Sequence, residues 1–447
     1  MKNMKSSMNQ SINILASWAL LLSLSMASAF AQVPAPAPPQ EQPIIIMGAT
    51  AHIGNGEVIE NAAIAFENGE ISMVGTASEA QSMDLSGYEQ INAEGKHVYP
   101  GFILPDTDLG LKEIGAVRAT VDNEEEGQLN PNVRSIISYN TDSELIPTFR
   151  FNGVLTAQIV PQGGMIPGTS SIVQLDAWNW EDAAIKMDDA MHMNWPGRYR
   201  SQFDYSTYTV NRVPNESYEG QVQKLEDLFS DAVAYSQLGN DKEVNLKLEA
   251  VQSLFDGSKA LHIHAEEARE MAEAVLFAKE LGVQRVVVIG GYEAYLIAEL
   301  LKEHDVPVII DNVHRLPARE ENDVLLPYKL PAMLQEEGVK VSLGCSYGMN
   351  SRSRNLGFMA GTASAYGVEK EEALRMITLT TAEILGLDDR LGSLEEGKSA
   401  TLFISEGDAL DMRGNIIEQV FINGRKPQMD AMQQRLYQKY KEKYSDD

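Results

Sequence analysis

Two aspartates alternate in the stretch Pro100-Gly101-Phe102-Ile103-Leu104-Pro105-Asp106-Thr107-Asp108. Its apolar start reads as a strand, and if the strand continues that far Asp106 and Asp108 share one face. There they serve as oxygen ligands to a cation or as a general acid–base pair; on a loop they are solvated carboxylates. The chain has seven histidines, and two of them stand in Leu261-His262-Ile263-His264-Ala265. His264, at the end of that short run, is a candidate metal ligand or substrate contact. His262 lies two residues back on the same face, one layer deeper, and reads as core. His314, in Asp311-Asn312-Val313-His314, follows an apolar run and is a candidate substrate contact or a loop residue. Gly163 and Gly164, in Gln162-Gly163-Gly164-Met165-Ile166-Pro167-Gly168-Thr169, offer backbone N–H groups that could cradle an anion of the substrate. The segment lacks the Gly-Lys-Ser/Thr of a phosphate loop. Ser346 beside Cys345 has no neighbouring histidine to activate it and reads as a turn residue. The acidic run Asp122–Glu126 reads as a solvated loop.

Composition narrows the chemistry. The 447 residues carry 36 Lys+Arg against 64 Asp+Glu, a formal charge of −28. Such a surface repels nucleic acid and anionic membranes, so a small molecule is the expected partner. The single Cys345 rules out an internal disulfide and any four-thiolate metal site. Residues 1–31 read as a signal peptide: Lys2 and Lys5, an apolar run near Ile12–Met26, then Ala29-Phe30-Ala31 for cleavage near Ala31. The run is too short for a stable membrane span. The mature protein is expected to be exported, to a periplasm or beyond the cell.

After that leader, residues 32–43 alternate proline with small residues and read as an extended linker. Short apolar runs at Ile44–Met47, Ala62–Phe66 and Ile71–Val74, separated by glycine turns, indicate an antiparallel β unit over 44–99. The pattern returns at Ala400–Ser405 and Ile417–Ile422, so 391–427 completes a small discontinuous β-sandwich domain. Between them strands and helices alternate: Leu261–His264, Arg285–Ile289, Val306–Ile310 and Val339–Leu343 as strands, with Ala265–Leu281 and Tyr292–His304 as helices. That order means parallel β/α units, whose sites lie past the C-terminal strand ends. The stretch 176–259 fits the repeat poorly. It reads as an insertion or lid, or as ordinary helices, with one helix over Glu219–Tyr235. Residues 428–447 read as a polar helix or tail.

Three features together resemble the amidohydrolase superfamily, in its imidazolonepropionase-like branch. They are Gly48-Ala49-Thr50 through Gly56 with Glu67-Asn68-Gly69-Glu70-Ile71; then Val98-Tyr99-Pro100-Gly101-Phe102-Ile103; and the tail Thr378–Leu387 continuing as Gly392–Ala400. The resemblance implies an α/β fold, a (β/α)8 TIM-like barrel over 100–390 with the small β-sandwich from both chain ends. It also implies a divalent-metal hydrolase of non-peptide carbon–nitrogen bonds. In that family the first strand ends in two metal-binding histidines, and here Asp106 and Asp108 hold both positions. His264 matches the fifth-strand histidine. The sixth-strand position falls in Val288-Ile289-Gly290-Gly291-Tyr292, and the eighth-strand aspartate is matched by Ser346. The fourth-strand ligand is not placed. The family metal is zinc; with Asp106 and Asp108 as ligands, Mg²⁺, Mn²⁺ or Ca²⁺ fits better.

Two functions follow. One is an exported amidohydrolase acting on cyclic amides or acyl-amino-acid-like substrates through an altered metal site. The other is a non-catalytic, metal-free binding subunit, self-associating or paired with a metal-complete paralogue.

Overall fold

The computed structural model describes residues 35–238, 243–345 and 350–445. The expected leader and Ser346 lie outside the described residues. From Ala37 to the C-terminus the chain forms one compact unit.

Strands β1 (Ile44–His52), β2 (Val58–Glu67), β3 (Glu70–Thr76), β4 (Glu89–Asn92) and β5 (His97–Pro100) open the chain. Then come β6 (Phe102–Thr107), β7 (Val154–Ile159), β8 (Gly168–Thr169), β9 (Ser171–Gln174), β10 (Ala184–Lys186) and β11 (Ala190–Asn194). An antiparallel ribbon, β12 (Tyr199–Asp204) and β13 (Thr209–Pro214), precedes β14 (Ala260–Ala265), β15 (Val286–Gly290), β16 (Val308–Asp311) and β17 (Val341–Gly344). Strands β18 (Leu402–Ser405) and β19 (Ile417–Phe421) end the set.

The chain ends meet in a seven-stranded sheet, ordered β19-β18-β5-β1-β2-β3 with β4 also on β1. This sheet branches along β1. Ile44–Met47 pair with β4, and beyond Gly48 (φ +87°) Thr50 and Ala51 pair with β5. Alternation along β1 sends Ile44 and Ile46 to one apolar cluster and Ile45 to another, so both faces are covered. The proline-rich stretch is not a free linker throughout. Ala37 N–H donates to Asp176, and the Gln40 side chain bonds Phe66 and Gly69.

The expected barrel strands form two sheets. One is β10-β9-β7-β6, with β6 and β7 parallel; the other is β17-β16-β15-β14-β11-β8, with β11 and β14 to β17 parallel. The short stretch β8–β9 joins them, running antiparallel to β7 on one side and to β11 on the other. Among the described residues the arrangement therefore has eight staves, of which seven are parallel. No ladder joins β17 to β6 among those residues. Instead Ile103 N–H donates to Ile377 and Leu343 N–H to Met376, so an inserted segment bridges the seam.

The helix expected over Glu219–Tyr235 spans Tyr218–Ser236, and the one expected at Ala265–Leu281 spans Ala268–Glu280. Both bury an apolar stripe on the barrel core. Among the described residues, no helix is long and apolar enough to cross a membrane. The stretch expected as an insertion, 176–259, is only partly that: it contributes the stave β11 as well as the exposed β12–β13 ribbon.

Candidate metal centre

The C-terminal half of β6 does not alternate as a regular strand would. Its register with β7 steps from Leu104↔Ala157 to Thr107↔Ile159, three residues against two. Pro105 and Asp106 hold the extra residue, and Asp106 takes a left-handed backbone (φ +51°). Such a bulge re-aims one side chain and breaks the two-residue period beyond it. It turns Asp106 inward, 1% exposed, while Asp108 is half-buried and accepts a hydrogen bond from Asn123 (3.1 Å). The pairing of Asp106 with Asp108 expected from the sequence is thereby undone.

Asp106 instead meets two histidines from β11 and β14. One ligand atom from each of Asp106, His192 and His264 lies within 4.8 Å of the other two. His192 Nδ1 is 2.8 Å from His264 Nε2, and His264 Nε2 is 3.9 Å from Asp106 Oδ1. The parallel ladder places His192 beside His262 and Asn194 beside His264, so the His192–His264 contact is diagonal. Asp108 is not in this group. His192 is the residue that sequence reading missed. It sits on the fourth stave, β11, where the resemblance left a ligand unplaced, inside the stretch 176–259.

Burial governs the charge state here. It drives His192 well below its ordinary pKa, His262 down to about 3 and His264 down to about 4. Neighbouring imidazoles push His192 and His262 the same way, whereas Asp311 and Glu266 oppose burial at His264. All three rings are thus neutral near pH 7, the form that ligates metal. His192 Nε2 and both ring nitrogens of His262 have no hydrogen-bond partner among the described residues.

The donor set fits a divalent cation. Three donors on one tetrahedral ion, each about 2.0–2.1 Å away, stand about 3.3 Å apart. The observed 2.8 and 3.9 Å bracket that spacing. Two imidazoles with one carboxylate are a borderline nitrogen-rich set, which suits zinc better than the oxygen-only pair expected from Asp106 and Asp108.

Further carboxylates rim the mouth. Asp311, buried at the end of β16, acts on His264 and, after burial, is the second cause that raises the Cys345 thiol to about 12. Glu266 accepts from Arg315 (2.9 Å) and from the Tyr292 N–H (3.1 Å). Gly164 O accepts from Asn194 at the end of β11 (2.8 Å), placing the glycine loop at this rim. A side chain at Gly163 would run into the Glu124 carboxylate, and that negative charge beside the glycines disfavours the expected anion cradle. His314 is exposed, bonded to Thr362 Oγ1 (2.7 Å), in a groove of about 410 Å³ with Phe358, Tyr366, Lys370 and Leu410. It is not part of the Asp106 group.

The family model described as "Amidohydrolase family" matches residues 205–426. The imidazolonepropionase of Clostridium tetani is 24% identical over 393 residues, covering 79% of this chain and 86% of its own. That of Symbiobacterium thermophilum is 25% identical over 374 residues, covering 78% and 84%. A solved amidohydrolase from Thermotoga maritima superposes with a TM-score of 0.74 at 24% identity, covering 86% of this chain and 99% of that one. Together these matches support the amidohydrolase superfamily as the family that this chain resembles. Within it, the similarity is to imidazolonepropionases, at low identity. A solved adenosine deaminase from Xanthomonas campestris with bound zinc shares the fold more loosely, with a TM-score of 0.51 at 17% identity over 91% of this chain and 98% of that one. Members of this superfamily typically use a divalent metal, and Asp106, His192 and His264 are the group that could hold one here.

Proposed function

We propose that this protein is an exported hydrolase of non-peptide carbon–nitrogen bonds in small molecules, cyclic amides or acyl-amino-acid-like compounds, working with one divalent cation at Asp106, His192 and His264. The observation that carries the reading is the convergence of these three donors from β6, β11 and β14 at the strand ends. The imidazolonepropionases among its relatives support the bond class by name alone. A cation held there supplies Lewis acidity, polarising a carbonyl oxygen and making water easier to deprotonate.

The chain's own residues do the rest. Neutral His192 and His264 ligate without net loss of a proton, the ring that donates in their contact needing only to shift its proton to its other nitrogen. Asp311, buried beside His264 at the next strand end but one, is the proton acceptor. Glu266, whose carboxyl is pushed up chiefly by burial, and Arg315 offer a proton-holding group and a cation to a substrate at the rim. The basic start, apolar run and Ala29-Phe30-Ala31 support export.

A second reading, a binding subunit without catalysis, rests on the 2.8 Å His192–His264 hydrogen bond, which pairs the two facing nitrogens without a cation. Assaying cation-loaded protein against a panel of cyclic amides and N-acyl amino acids separates the two. Turnover that falls by about two orders of magnitude in Asp311→Asn supports the hydrolase. Ligand binding without turnover favours the second reading.

A further inference from the structure

The bulge that aims Asp106 inward also takes its N–H out of the β6–β7 ladder. A buried amide left without an acceptor is costly, and the fold answers with one side chain. Gln158 Oε1, from β7, accepts the Asp106 N–H at 3.3 Å. Gln158 is itself fully buried, and its Nε2 donates to Asp189 Oδ2 (2.8 Å) and to Ser170 Oγ (3.1 Å). Ser170 in turn donates to Asp189 Oδ1 (2.8 Å).

The polarity of this chain of bonds is forced. The Asp106 N–H can only donate, so it takes the Gln158 carbonyl, and the Gln158 amino group is left to donate to Asp189. The bond to Asp189 thus holds the Gln158 amide in that orientation. The antiparallel stave has a use here as well, since Ser170 lies between its two pieces, β8 and β9, and Asp189 immediately precedes β11.

We propose that Gln158, oriented by Asp189 and Ser170, is the positioning residue that holds Asp106 in its inward, cation-facing conformation. The proposal rests on the reading of Asp106 as a ligand, and its two parts are tested by separate readouts. Gln158 touches neither substrate nor cation; it acts through the Asp106 backbone. Replacing it removes an acceptor from a buried N–H, and the left-handed turn at Asp106 is then no longer fixed.

The experiment uses the mature protein in four forms: wild type, Gln158→Leu, the exchanged pair Gln158→Glu/Asp189→Asn, and Asp106→Asn. In the exchanged pair the new carboxylate at position 158 still accepts from Asp106. The new amide at position 189 donates to that carboxylate and accepts from Ser170, so three of the four bonds re-form with the charge moved and only the bond from residue 158 to Ser170 is lost. The first readout is amide hydrogen exchange of the peptide spanning residues 102–108, without metal. Exchange should accelerate about tenfold in Gln158→Leu and return to within about threefold of wild type in the exchanged pair. The second is zinc affinity by chelator competition, expected to weaken about tenfold or more in Gln158→Leu and to recover in the pair. Unchanged exchange in Gln158→Leu, or no recovery in the pair, overturns the positioning role. If Gln158→Leu does not fold, the milder Ser170→Ala stands in for it, with a smaller acceleration expected and unchanged exchange again contradicting the role. Restored exchange with zinc binding insensitive to Asp106→Asn keeps the positioning role and removes Asp106 from the metal site.

Discussion

His192 Nδ1 stands 2.8 Å from His264 Nε2, although the ladder sets His192 opposite His262. At that distance one ring donates a proton and the other accepts it, so these two nitrogens satisfy each other, while His192 Nε2 has no hydrogen-bond partner among the described residues. A cation entering the group replaces that shared proton contact, and it does so without having to discharge an imidazolium.

Cation affinity should therefore be nearly independent of pH between about 7.5 and 5.5. Histidines with ordinary pKa values near 6.5 would lose affinity across that range through proton competition. With His264 at about 4 and His192 also well depressed, competition begins only as the pH nears 4. Zinc titrations across this range check the point, and a steep loss of affinity centred near pH 6.5 would show that the rings are charged.

Asp106 and Asp108 should separate cleanly. Asp106→Asn is expected to weaken zinc binding about tenfold or more, since it removes the carboxylate of the group. Asp108→Asn alters a half-buried carboxylate outside the group and leaves an acceptor for Asn123, so it should change affinity by less than about threefold. Equal losses in the two variants would mean that the bulge does not part them.

His262 gives the pH dependence of stability. Its folded pKa of about 3 lies below the unfolded value near 6.5, so between those values the unfolded chain binds more protons. Stability from this residue is complete above about pH 6.5 and is lost as the pH falls toward 3, on the order of a few kcal/mol in all. His262→Leu removes a buried ring with no hydrogen-bond partner among the described residues, so it should cost little at pH 7 and flatten the acid loss. Thermal unfolding of the metal-free protein at pH 7 and pH 5 reads both effects; an unchanged difference between the two pH values would rule out His262 as the source.

Gly168 opens the antiparallel stave at φ +141°, and a Cβ built there would lie 2.5 Å from the Val133 carbonyl oxygen. Gly168→Ala should destabilise the fold by about 1–3 kcal/mol, through both strain and that backbone clash. A denaturation midpoint equal to wild type would show that the stave can shift to accept a side chain.

These contrasts mark what the chain discloses by its residues alone. The expected strand at Arg285–Ile289 forms at Val286–Gly290, and that at Val339–Leu343 forms at Val341–Gly344, because buried β-branched runs have few other ways to fold. The β-rich segments from both chain ends do join in one sheet. His192 was hidden because Ala-Met-His-Met-Asn has no β-branched residue, and only its neighbours β14 and β8 make it a stave. The antiparallel stave was hidden for the opposite reason. Its glycines read as a loop, while its strand character comes from pairing with β7 and β11 rather than from its own residues. The Asp106–Asp108 alternation failed at a bulge, which a period-two pattern does not anticipate.

Metal stoichiometry tests the central claim most directly. Mature wild-type protein and His192→Ala, each loaded with zinc and then freed of loosely held ions, are compared by elemental analysis. The account predicts about one tightly held ion per wild-type chain and its loss in the variant. A metal-free wild type, or equal metal in both proteins, would contradict it.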